Sequence, residues 1–198
     1  MARSFESLLE SHHSRIPYQW KAFVQRSESP YRDERDAWNS YAHGFKLAAD
    51  SVAKDCYENY PRRQVLYAPI FFLYRYWLEL RLKSIWKGYE HRGWISTELK
   101  YDHKILPLWL TVKAVSVERD VISEDDEFVG NVEKSIHLLS SVDALSQYSR
   151  YPEGPPGQRH DINFDLEEFI TAIDDIETVF FGLSAMVDQY DYADGITP

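Results

Sequence analysis

Tyr67-Ala68-Pro69-Ile70-Phe71-Phe72-Leu73-Tyr74-Arg75-Tyr76-Trp77-Leu78-Glu79-Leu80-Arg81-Leu82-Lys83-Ser84-Ile85-Trp86-Lys87-Gly88 is apolar on every side once wound at 3.6 residues per turn. A helix of that kind belongs at the centre of its domain, because no face of it suits water. Pro69 is expected in its first turn, where a missing N–H costs nothing. The apolar run from Tyr67 to Tyr74 stops at Arg75, far short of the ~20 residues that span a bilayer. Within the helix Arg75, Glu79 and Lys83 recur every four residues and form one narrow charged row. Charges on a central helix must be paired or must line a cavity, since an unpaired buried charge costs several kcal/mol.

Helical periodicity continues on both sides of this segment. Upstream, Trp38, Tyr41, Phe45, Ala48, Ala49, Val52 and Cys56 repeat at three- and four-residue spacing. They predict a helix from an N-cap at Asp36 to about Asn59, stopped by Tyr60-Pro61. Downstream, Tyr101-Asp102-His103-Lys104 opens a third helix carrying Ile105, Leu106, Trp109, Val112 and Val115, with Pro107 in its first turn. Ser123 to Asp126 begins a fourth, and Asp165 with Glu168 makes a capping box for a last one through Val187. Between Ser149 and Asp165, Pro152, Gly154, Pro155, Pro156 and Gly157 define a loop. No stretch alternates at period two. The expected fold is all-α, an up-and-down bundle of about five main helices over residues 36–198. A polar segment, 1–35, interrupted by Pro17 and Pro30, is expected to lie over it as a short helix or two.

Composition agrees with that architecture. Of 198 residues 44% are hydrophobic and 27% charged, enough apolar material for one core and too much for general disorder. Aromatics reach 15% against only 8 glycines, which favours packed helices over a turn-rich sheet. The formal net charge of −10 argues against a free-standing nonspecific DNA binder, whose affinity comes from neutralising phosphates. The charge is polarised, however. Residues 61–104 hold 9 basic and 4 acidic side chains, and residues 105–198 hold 5 basic and 19 acidic. One basic face toward an anion, or pairing with a second copy, follows from such a distribution.

A single cysteine, Cys56, excludes an intrachain disulfide or a cysteine zinc site and reads as inert core. The first residues lack a secretory apolar stretch, so the reducing cytoplasm is the expected compartment. There is no glycine-rich phosphate loop, nucleophile elbow or paired-histidine zinc helix, and no cofactor is expected. Glu133 and His137, one turn apart, read as a surface ion pair. Asp174-Asp175-Glu177 reads as a wet helix face.

Three features then remain: the charged row, His103 at a helix start, and Ser149-Arg150-Tyr151-Pro152 at the mouth of the loop. In combination and order, Tyr74 to Lys83, His103-Lys104-Ile105-Leu106-Pro107-Leu108-Trp109 and Arg150-Tyr151-Pro152 resemble the HEPN superfamily of small helical bundles. The resemblance covers residues 67–160. Many of its members are metal-independent endoribonucleases of toxin–antitoxin or antiviral defence systems, usually dimeric, and others are catalytically silent binding modules. It therefore implies a module that binds RNA or a partner protein, with Arg75, Glu79, Lys83 and Tyr151 as binding residues.

If the chain cleaves RNA, the resemblance points to Arg150, His160 and His103 as catalytic residues. A histidine takes the 2′-hydroxyl proton while an arginine holds the phosphate. The nuclease pattern has an arginine followed, after four to six intervening residues, by a histidine, whereas nine residues intervene between Arg150 and His160. A competing expectation is that Arg150 pairs with Glu79 and pins the loop to the bundle. A structural homodimer or adaptor is the third.

Overall fold

The structure, a computed structural model, describes residues 34–100, 102–143 and 162–193. The chain divides into two compact units, Met1–Pro30 and Tyr31–Pro198. The description concerns the second. The expectations for residues 1–33 and 144–161, which include most of the loop expected between Ser149 and Asp165, lie outside the described residues.

Five helices and no strand occur among the described residues: α1 (Glu34–Glu58), α2 (Arg63–His91), α3 (Ile105–Glu118), α4 (Glu127–Val142) and α5 (Leu166–Ala193). The all-α bundle expected from the sequence is therefore the observed fold. Asp36 is not an N-cap, because the helix already includes Glu34. The buried face of α1 is also rotated from the expected one. Ala42, Ala49, Ala53 and Cys56 are buried, while Tyr41 is exposed. Small side chains bring α1 close to α2, and that close approach outweighs the larger hydrophobicity of tyrosine at position 41. Phe45 meets Tyr76 edge to face at 4.5 Å, within the favourable range for such a pair.

A 3-10 turn, Tyr60–Arg62, leads straight into α2, so that helix starts four residues before Tyr67. Pro69 consequently lies in its second turn, not its first. The carbonyl it cannot serve belongs to Val65, an exposed residue, where water can replace the lost donor. The far end is set by Gly93 at φ 68°. Gly93 N donates to the Glu90 carbonyl and Trp94 N to the Tyr89 carbonyl, both at 2.9 Å. The two bonds make a Schellman motif. Trp94 packs against Tyr89, its ring tilted at a centroid distance of 5.2 Å, and covers the motif. Gly88 is internal to α2, where a Cβ would come 3.2 Å from both Arg35 Nε and Val187 Cγ1.

The starts of α4 and α5 have local causes. Asp126 caps α4 by accepting from Phe128 N (2.9 Å) and Val129 N (3.3 Å). Asp165 accepts from Glu168 N at 2.9 Å at the start of α5. Helix α2 packs on α1, α3 and α5, and α4 bridges α3 and α5. Trp77 and Trp109 both face Phe180 of α5, so the aromatic centre of the core lies between α2, α3 and α5. No described helix is long and apolar enough to cross a membrane.

Candidate functional site

The charged row is inside the bundle. Arg75 is 0% exposed, Glu79 1% and Lys83 4%. Four-residue spacing stacks the three side chains along one side of α2. The Glu79 carboxylate takes Lys83 Nζ at 2.7 Å and lies 3.6 Å from Arg75 Nη1. Lys83 also lies over the Trp38 ring, 5.6 Å from its centroid, an arrangement that favours a cation.

Arg75 reaches beyond its own helix. Its Nε donates to the Asp143 carbonyl at 2.9 Å, and its Nη2 donates to the His103 carbonyl. One guanidinium thus ties the end of α4 to the segment that opens α3. Chain continuity places Arg150 seven residues after this anchor.

His103 completes the arrangement. Its Nδ1 lies 3.1 and 3.2 Å from the two Glu79 oxygens, while its side chain is 46% exposed. With the proton on Nδ1, His103 donates to Glu79 and the carboxylate fixes the orientation of the ring. The unused Nε2 is then left for a ligand. Glu79 thus accepts a contact from His103, while the expected pairing with Arg150 lies outside the described residues. Of the seven residues singled out from the sequence, Arg75, Glu79, Lys83 and His103 come together. Arg150, Tyr151 and His160 lie outside the described residues.

One sequence expectation is corrected. Glu133 does not pair with His137; it accepts from Lys113 Nζ at 2.8 Å and from Trp109 Nε1 at 3.1 Å. The partners come from α3 because Trp109, completely buried, needs an acceptor for its N–H. Lys113 holds the Glu133 carboxyl below its ordinary value, with Trp109 and the more distant His137 acting the same way against a smaller effect of burial. A depressed carboxylate stabilises the fold above its unfolded-state value and loses that contribution as pH falls through the folded one. Glu133→Gln keeps an acceptor for Trp109 but removes the charge. It should be less stable than the parent at neutral pH, and the gap should close as pH drops below about 4.5. Urea titrations at pH 7 and at acid pH measure that gap, and one that persists at acid pH would assign the effect to packing.

Asp174 and Glu177 are exposed, as a wet helix face requires. They turn toward Lys46 of α1, at 3.8 and 3.1 Å. Asp50 takes the same ammonium at 3.0 and 3.2 Å and accepts the Tyr74 hydroxyl at 2.7 Å. Lys46 is buried, and with Asp50, Tyr74 and Asp174 it lines a groove of about 500 Å³ together with Ala53, Leu166 and Ile170. A lysine in the middle of α1 gave no sequence signal for this. Its one clue was the i,i+4 spacing of Lys46 and Asp50. Among the described residues no group of three or more His, Cys, Asp or Glu side chains is placed to hold a metal ion.

Comparison of the chain with protein-family models, curated proteins and solved structures finds no match.

Proposed function

We propose that the chain is a HEPN-like helical module that binds RNA, with His103 at the centre of its working face. The observation that supports this reading is the half-exposed imidazole seated on a buried carboxylate. A buried Glu79 fixes the ring, so Nε2 is presented to an approaching RNA group in one orientation. Asp143, held by Arg75, precedes in sequence the segment with Arg150, Tyr151 and His160. Arginine and tyrosine there supply phosphate contact and a stacking surface for an unpaired base. In the catalytic version of the same reading, a histidine removes the 2′-hydroxyl proton while Arg150 steadies the phosphate, without metal. A defence or toxin–antitoxin setting follows from the resemblance in sequence.

Fluorescence anisotropy of a labelled single-stranded RNA, at low salt and with EDTA present, tests both versions. Wild-type protein should bind. His103→Ala should bind about tenfold more weakly, the worth of one charge-assisted hydrogen bond. Gel analysis of the same mixtures reads cleavage. Equal binding by His103→Ala, or no binding at all, would end the proposal. A second reading, a structural homodimer or adaptor, draws on the exposed Leu47, Leu138 and Phe181. Light scattering across a concentration series separates a dimer from the 23.3 kDa monomer.

A further inference from the structure

We propose that the groove between α1, α2 and α5 is a binding site for a small organic amine with an apolar body, its ammonium received by Asp174 beside Lys46. The inference is independent of the RNA reading and uses none of its residues.

Three features converge on that chemistry. The first is shape. The groove of about 500 Å³ has apolar and aromatic walls from Ala53, Tyr57, Tyr74, Leu166 and Ile170, and pockets of this size enclose small ligands. The second is an excess of negative charge. The groove is lined by Lys46 and Lys54 against Asp50, Glu167 and Asp174. Lys54 is paired with Glu58 at 3.8 Å. Lys46 faces Asp50, Asp174 and, beside the groove, Glu177. Asp50 and Glu177 hold it at 3.0 and 3.1 Å, whereas Asp174 stands back at 3.8 Å. Asp174 is thus the carboxylate with acceptor capacity to spare, and it lines the groove. The third is a surrounding that already favours an ammonium. Lys46 Nζ lies 5.7 Å from the Tyr74 ring centroid and 5.8 Å from that of Trp77, within reach of cation–π attraction.

Titration behaviour is consistent with this geometry. Burial works against the charge on Lys46, yet hydrogen bonds to Asp50 and Glu177 outweigh it and leave the lysine above its ordinary value. The Asp174 carboxyl is displaced upward. Partial burial raises its carboxyl, Lys46 opposes this, and Glu177, Asp50 and Asp175 push it up further. A second cation in the groove would relieve that repulsion. An anion would meet it.

The test is titration of the full chain with 2-phenylethylamine, followed by NMR of the Leu166 and Ile170 methyl groups. Its matched control is 3-phenylpropionate, which has the same ring and chain length with opposite charge. The amine should saturate with a dissociation constant of about 1 mM, as expected for nine non-hydrogen atoms, and the acid should not. Asp174→Asn should weaken the amine at least about fivefold. Asp175→Asn makes the same change in net charge outside the groove and should alter binding less than about twofold. Because Asp174 is exposed at the rim, its variant is expected to fold. Three results would overturn the proposal: no saturation at about ten times that concentration, equal response to the acid, or equal weakening by the two variants.

Discussion

Glu79→Ala should lower the unfolding free energy by about 3–5 kcal/mol, the cost of breaking a buried ion pair and leaving its partners uncompensated. Arg75 and Lys83 are both buried, so without the carboxylate two cations share a poorly hydrated space and His103 loses its anchor. Domains of this size are stable by only about 5–15 kcal/mol, so the variant should sit near its unfolding midpoint in mild urea. A double substitution makes the point sharper. Glu79→Ala with Lys83→Met removes one of the stranded cations and fills its place with an apolar chain of similar length. It should therefore be more stable than Glu79→Ala alone, although it carries one substitution more. Urea denaturation followed by circular dichroism measures both. Wild-type stability for Glu79→Ala would show the row to be hydrated. A double variant less stable than the single one would show that Lys83 works mainly by packing on Trp38.

Trp77→Ala is the second large effect. The ring is 1% exposed and lies between Tyr74 at 6.5 Å and Phe180 at 6.4 Å, joining α2 to α5. Truncation at such a site removes transfer energy and leaves a cavity, together about 3–5 kcal/mol. Trp77→Phe keeps most of the volume and should cost well under half as much. The same ring is one of the two aromatic surfaces beside Lys46. Trp77→Phe should therefore also loosen Lys46 from its carboxylates, read as a change in the Lys46 Nζ chemical shift and its pH dependence. A Trp77→Ala loss below about 1 kcal/mol would mean that the neighbouring aromatics collapse into the space.

The sequence by itself determined that the chain is helical, which segment lies at the centre, and that Arg75, Glu79 and Lys83 share a side. Those properties are local. A period of 3.6 residues turns spacing into facing, and a segment apolar all round has only one comfortable place in a domain. Helix ends were less well marked. Gly88 and Gly93 look equivalent in the chain, yet only Gly93 takes the left-handed conformation, because Gly88 is needed where Arg35 and Val187 approach the backbone. Tyr41 and Ala42 were exchanged for a related reason: hydrophobicity ranks side chains singly, while the approach of α1 to α2 rewards small ones.

Only the tertiary structure decided the partners. His103 reaches Glu79, Glu133 turns from His137 to Trp109 and Lys113, and Asp174 and Glu177 turn to Lys46 on a distant helix. A charged residue carries no mark of which opposite charge will meet it, since many pairings satisfy the same composition. What selects one is the low dielectric of the interior, where any charge left without a counterpart costs several kcal/mol. That selection begins once packing has fixed which helices are neighbours.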